Sequence, residues 1–293
     1  MVTPTGQKVQ VFYNKTPFPD YELERFNSKY SLVSATYPFA KVIDRSIPPT
    51  ASVIDVGTGT GQLSSFLSLK RENVWGIDFS DASINKANAL KKNLKLDTLV
   101  LKKVDILDEK QIEEINMKFD YILCLGVLHH TGDAYRAFQN ILKLGKPGTK
   151  IAIGLYNNYG RIQLKVRKIL AKTLFKNNDK VKDYFIRMQI GDVEDKERAR
   201  GWWNDQYNHP HETSHTIGEV LGWFKKNNIE FIRTVPSSTP FNNMSQVSLE
   251  IAGLWNGNFQ SYPSSITRMY KQLSWIWRTN KEGGYWITFG EMK

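Results

Sequence analysis

Cysteine is almost missing from this chain of 293 residues. Cys124 stands alone, so no intramolecular disulfide can form. It lies in the apolar run Phe119–Val127, where a buried, inert thiol is expected. No run of about 18 apolar residues exists, which excludes a membrane-spanning helix. Met1–Gln10 is polar and lacks the apolar segment of a secretory signal, so a cytoplasmic protein, soluble or peripherally bound, is expected. There are no internal repeats and no low-complexity tract. Acids are also short: 29 Asp and Glu against 40 Lys and Arg leave a formal charge of +11. That balance points to an anionic partner (nucleic acid, anionic lipid or an acidic small molecule) and says nothing of fold. A charged fraction of 24% argues against global disorder, and 41% hydrophobic residues can fill one large core with an added subdomain, or two small domains.

What is present alternates. After a leader over 1–48, with Thr16-Pro17-Phe18-Pro19 resisting helix and Tyr21–Ile43 read as helical, Pro48-Pro49 closes the segment. Strands are then expected at Ser52–Val56, Val74–Ile77, Thr98–Val104, Phe119–Leu125 and Lys150–Leu155. Helices are expected between them at Gln62–Leu69, Ala82–Leu94, Lys110–Ile115 and Ala134–Leu144. This order predicts an α/β fold with a doubly wound, mostly parallel sheet. The alternation stops at Tyr156. Residues 156–214 read as a charged helical insertion, and Thr216–Asn227 as a helix opened by a capping box of Thr216 and Glu219. Glu230–Val235 and Trp286–Phe289 read as two more strands, separated by a turn-rich, aromatic insertion at 236–282. The expected division is a leader or lid over 1–48, a sheet domain over 49–155 and 215–293, and a lid over 156–214.

The chemistry sits in Asp55-Val56-Gly57-Thr58-Gly59-Thr60-Gly61, at the first strand-to-helix turn, where open α/β sheets bind ligands. Gln62 replaces the last glycine of a nicotinamide-type GxGxxG fingerprint. Asp55, just before the turn, is poorly suited to a pyrophosphate and well suited to a ligand carrying ammonium and sulfonium charges. A generic tight turn is the plain alternative. Acids recur, however, at the next two strand ends. Asp78, followed by Phe79, can accept two ribose hydroxyl protons. Asp105 can accept from an adenine amino group, with Ile106 and Phe79 against the ring. Leu125-Gly126 ends the fourth strand at the same rim.

Over 52–155, with a return at 216–235 and 284–291, the chain resembles the class I S-adenosylmethionine-dependent methyltransferases. The resemblance implies the cofactor S-adenosyl-L-methionine and a Rossmann-like sheet of seven strands, the last antiparallel at Trp286–Phe289. It implies that Asp55, Gly57, Thr58, Gly59 and Gly61 hold the amino-acid end of the cofactor, Asp78 the ribose and Asp105 the adenine. Pro17-Phe18-Pro19-Asp20-Tyr21 and Asp205-Gln206-Tyr207 with His209-Pro210-His211-Glu212 also resemble a group of mostly bacterial members.

Transfer from a sulfonium depends largely on proximity and orientation, and a hydroxyl acceptor needs a base besides. Histidines supply the candidates. His129 and His130 follow the fourth strand, with His130 preferred as base and a turn cap as the plain alternative. His209, His211 and His215 form the second cluster. His211-Glu212-x-x-His215 matches a zinc-protease motif only if it is helical, and the cap at Thr216 starts the helix too late, so no metal is expected. His211 remains a catalytic candidate. Tyr13, Tyr156, Trp203 and His209 are the expected acceptor contacts. The chain lacks an Asn/Asp-Pro-Pro-Tyr motif after the fourth strand, and Cys124 is a poor nucleophile, which weakens two nucleic-acid readings.

Arg161–Lys176 is basic and amphipathic. It is read as a lid helix packing its apolar stripe on the sheet domain, as a helix lying on anionic membrane, or as an RNA-binding helix. Ubiquinone-pathway O-methyltransferases resemble the second arrangement. The reading taken is methyl transfer to an O or N atom of a small-molecule or lipid-like acceptor. The alternatives are an RNA or protein methyltransferase and a non-catalytic cofactor-binding module.

Overall fold

A computed structural model describes residues 4–174, 178–191, 196–238, 253–256, 263–278 and 284–293. Seven strands form one sheet: β1 (Val53–Val56), β2 (Val74–Asp78), β3 (Val100–Lys103), β4 (Tyr121–Leu125), β5 (Lys150–Tyr156), β6 (Ile229–Val235) and β7 (Tyr285–Met292). Their spatial order is β3-β2-β1-β4-β5-β7-β6. The first five are mutually parallel, and β7 runs antiparallel between β5 and β6. The reversal of strand order falls between β1 and β4, the place where a crevice opens above the carboxyl ends of such a sheet.

Central strands are buried on both faces, which is why β1 is wholly apolar apart from Asp55. The crossovers α4 (Gln62–Leu67), α5 (Asp81–Leu94), α6 (Glu109–Glu113) and α7 (Ala134–Leu142) cover the two faces. Ser80, Asp108 and Asp133 cap α5, α6 and α7 by accepting first-turn amide protons. Two apolar clusters, one on each face, make the core. Cys124 belongs to one of them, and burial pushes its thiol well up.

The leader departs from expectation. Helix α1 (Pro4–Lys15) precedes the Thr16–Pro19 break, and Tyr21–Ile43 is not one helix but a short 3-10 turn, α2 (Lys29–Ala35) and α3 (Pro38–Ser46). Pro38 at the first turn of α3 forces the residue before it out of helical conformation and separates the two. The insertion over 156–214 is helical, as expected: α8 (Ile162–Thr173), α9 (Asp179–Ile190), α10 (Lys196–Trp203) and a π-turn at Asn204–Asn208.

Thr216 caps α11 (Ile217–Lys226) through the Glu219 amide, but the reciprocal half of the box is missing. Glu219 instead turns its carboxylate to His215 Nδ1 at 2.9 Å. The insertion read as turn-rich holds a further helix, α12 (Ser265–Arg278), whose first turn is capped by Ser264. The rest of that expectation, at 239–252, 257–262 and 279–282, lies outside the described residues. Among the described residues, no helix is long and apolar enough to cross a membrane.

Candidate active site

A cavity of about 470 Å³ lies over the carboxyl ends of β1, β2, β3 and β4. The first turn builds its floor. Gly57, Gly59 and Gly61 all adopt positive φ, and each does so where a Cβ would collide with a neighbour. A Cβ on Gly57 would lie 2.1 Å from Val127, and one on Gly59 would lie 2.3 Å from the Phe18 carbonyl oxygen. Gly57, Thr58 and Gly59 line the cavity; Gly61 does not. A Cβ on Gly61 would meet Ala87 at 2.7 Å, so its part is to let α4 approach α5 rather than to touch a ligand.

The three expected acids face the cavity together. Gly59 N–H and Ser80 N–H donate to the two oxygens of Asp78 at 3.0 and 2.9 Å and fix the carboxylate. Thr58 Oγ1 donates to Asp55 at 2.8 Å. Burial pushes Asp55 up to about 7 and Asp78 up to about 6, because desolvation outweighs these hydrogen bonds. Asp105 accepts from the Leu107 amide, and its own amide donates to Gln111. Phe79, Ile106, Leu125 and Gly126 line the same space.

The leader roofs it. Gln10 donates to the Phe79 carbonyl, Asn14 accepts from Ser80, and Tyr21 donates to the Thr60 carbonyl at 2.7 Å. Beyond the glycine turn, the cavity ends among Tyr13, His130, Tyr156, Asp205 and Tyr285. Tyr13 donates to Asp205 Oδ1 at 3.0 Å, and Gln206 donates to Asp205 Oδ2 and to Tyr156 Oη. Beneath Tyr156 lies Arg161, fully buried and 3.4 Å from the ring centroid, forked onto Glu212 and donating to Gln206.

Of the expected catalytic and acceptor residues, Tyr13, His130 and Tyr156 line the cavity. His129 is fully buried, with neither ring nitrogen hydrogen-bonded, and its ring lies 4.2 Å from those of Tyr156 and His130. His211 contributes backbone: its carbonyl oxygen is 3.1 Å from His130 Nδ1. His209 lies behind His130, the rings 3.8 Å apart. Trp203 stacks on Tyr207 at 4.0 Å, away from the cavity. The physical reason is shared: the π-turn at 204–208 directs Asp205 inward and Trp203 into a small separate cluster. Asp205 and Tyr285, at the acceptor end of the cavity, were not anticipated as site residues. The acid in Asp205-Gln206-Tyr207 was the only sequence signal for the first. Tyr285 is admitted by Gly154, where a Cβ would overlap its hydroxyl.

His130, Asp205 and His209 each bring one donor atom within 4.8 Å of the others. The hydrogen bonds oppose a metal there. His209 Nδ1 accepts from the His211 amide at 3.2 Å, so the neutral ring carries its proton on Nε2, the atom that would have to bind the ion. Residues 211–215 are not helical, so His211 and His215 share no helix face.

Known proteins agree with this architecture. The family model described as "Methyltransferase domain" matches residues 48–228. Ubiquinone biosynthesis O-methyltransferases of Pseudomonas aeruginosa (strain UCBPP-PA14) and Dechloromonas aromatica are 29% and 30% identical over 107 residues, which is 36% of this chain and 44% of each relative. The chain thus spans less than half the length of those relatives. Among solved structures, PKMT2 from Rickettsia typhi in complex with AdoHcy superposes with a TM-score of 0.60 at 17% identity, covering 94% of this chain and 55% of that one. The [4+2]-cyclase SpnF does so with 0.51 at 15%, covering 100% and 97%. A cyclase on this fold shows that the fold does not name the reaction; the site must. With more than half of its length matched by the family model, and an acid at the end of each of its first three strands, this chain belongs to the class I S-adenosylmethionine-dependent methyltransferases.

Proposed function

We propose that the chain transfers a methyl group from S-adenosyl-L-methionine to an oxygen or nitrogen of a small-molecule or lipid-like acceptor, with His130 as the group that receives the acceptor's proton. The observation that carries this reading is one continuous cavity joining Asp55, Asp78 and Asp105 to His130, Tyr13 and Tyr156. The cofactor, bound there, supplies an electrophilic methyl on a sulfonium.

The residues fit it. Asp55 and Asp78 are buried carboxylates whose raised affinity for protons marks a place for a cation. Asp78 would hold the ribose hydroxyls, each carboxylate oxygen keeping a lone pair beyond its backbone bond. Phe79 and Ile106 would take the adenine between them, and the glycine turn would hold the amino-acid end. The carbonyl of His211 at His130 Nδ1 keeps the proton on that nitrogen and leaves Nε2 as the basic lone pair. Burial lowers His130 to about 4, so its Nε2 lone pair is unprotonated at neutral pH, the state a base must start from. Tyr13 and Tyr156 would flank the acceptor, and Asp205 would orient Tyr13.

The basic segment 161–176 would touch anionic membrane: Ile162, Val166, Ile169 and Leu174 face solvent rather than the sheet domain. These exposed apolar side chains favour lipid over RNA as the anionic partner.

Calorimetric titration with S-adenosylmethionine and S-adenosylhomocysteine tests the cofactor. Micromolar binding that weakens about a hundredfold in Asp78→Ala is expected. Methyl transfer to a panel of phenols, amines and lipids tests the reaction. A wild type that binds neither compound while folded overturns the proposal.

A further inference from the structure

Helix α12 faces the wrong way for an ordinary amphipathic helix. Its apolar residues at helical spacing, Ile266, Met269, Tyr270, Leu273 and Trp277, are the exposed ones, with Ile266 at 78% and Trp277 at 82%. Its inner face is polar and tightly anchored. Gln272 Oε1 accepts from the Asn157 side chain at 2.8 Å and from the Ile217 amide at 2.9 Å, and so satisfies the start of α11. Trp275 beside it is buried in the core near Trp286. The rotation of α12 about its axis is therefore set by specific contacts, and these contacts turn the apolar stripe outward.

Helix α8 lies against the end of α12, where Gln163 donates to the Ile276 carbonyl at 2.6 Å. It too exposes apolar residues. Neither 161–176 nor 263–278 contains an aspartate or glutamate. On α12 Lys271 is buried and Arg268 half-buried, so among the described residues the exposed positive charge of this face comes from α8. Lys165 and Lys172 are exposed beside the α8 stripe. A protein partner needs no such one-signed surface. A bilayer with anionic headgroups rewards it, and exposed Trp and Tyr suit the headgroup region.

We propose that α12, with α8 beside it, is a membrane-surface face that seats Ile266, Met269 and Trp277 in the interface of an anionic bilayer. The proposal rests on α12 and is independent of methyl transfer. The face places the acceptor cavity on a protein held at the membrane, in reach of acceptors that partition there.

Cosedimentation of the full chain with vesicles tests it, at about 0.15 M salt. The chain should sediment with phosphatidylcholine vesicles containing phosphatidylglycerol and stay in solution with phosphatidylcholine alone. The double variant Met269→Ser, Trp277→Ser alters exposed residues only, so it should keep the wild-type melting temperature and bind about tenfold more weakly. Quenching of tryptophan fluorescence by brominated lipid should fall in Trp277→Phe. Three results overturn the proposal. In one, nothing sediments with anionic vesicles. In another, the double variant binds as tightly as wild type, leaving only the charge of the whole chain. In the third, the wild type is a dimer in solution that the double variant dissociates, which assigns the stripe to a second copy.

Discussion

One residue sets the protons of two neighbouring histidines. His130 and His209 lie 3.8 Å apart, and His211, two residues after the second, offers its carbonyl to the first and its amide to the second, each at Nδ1. His130 must therefore be the Nδ1–H tautomer and His209 the Nε2–H tautomer. Long-range proton–nitrogen spectra at pH 7 should show this pair. Both should stay neutral down to pH 5, since burial lowers them to about 4 and about 3. A charged His130 at pH 6 would refute the assignment.

Replacing His130 with alanine should lower turnover on a hydroxyl acceptor about a hundredfold or more. Cofactor affinity should change little, because the acids that would hold it stand elsewhere. With an amine that is already neutral the loss should be much smaller. Comparing the two acceptor classes in a methyl-transfer assay separates a base from a residue that only shapes the cavity.

Cofactor binding should strengthen as pH rises. A cationic ligand favours the ionised forms of Asp55 and Asp78, which in the free protein take up protons at about 7 and about 6. Affinity is therefore full above pH 7 and declines as pH falls through 7 and then 6. Titration at pH 7.5 and 5.5 should differ by about tenfold or more, with proton release on binding at pH 6.5. A flat profile would place the positive charge away from both carboxylates.

Gly59→Ala should damage the site, and Gly148→Ala should not. Both have positive φ, but a Cβ on Gly148 meets nothing within 4 Å, while one on Gly59 strikes the Phe18 carbonyl. The Gly148 variant should cost about 1 kcal/mol of stability by urea melting and keep cofactor affinity. The Gly59 variant should lose that affinity and leave the leader open to protease.

Glu212→Ala should destabilise the fold by about 3 kcal/mol in urea, because it removes the carboxylate onto which the fully buried Arg161 is forked. Glu212→Gln should cost less, as the amide oxygen can still accept one of the two bonds.

Much of the sheet was legible because its strands are buried on both faces and read as short apolar runs between turn signals. The acids at 55, 78 and 105 were legible for a related reason: a carboxylate closing a buried strand has little structural purpose. What stayed hidden depends on contacts between distant segments. Nothing local to Asp205 reveals that Tyr13, on a helix nearly two hundred residues earlier, will donate to it. Arg161 reads as an outer residue of the basic segment 161–176 until Glu212 and Tyr156 enclose it. Helix α12 has a legible period, but the aromatic residues of 236–282 mask it, and its rotation is decided by Gln272 and Trp275.

The leader has a kinetic consequence. Gln10, Asn14 and Tyr21 hold α1 and the following turn across the glycine loop, while Tyr13 reaches past them to the acceptor end. A molecule on the three acids lies beneath the leader, and a molecule at His130 lies beside it. Ordered binding, cofactor before acceptor, is therefore expected in initial-rate kinetics. The spent cofactor should compete with fresh cofactor alone, and lifting α1 should pace each turnover.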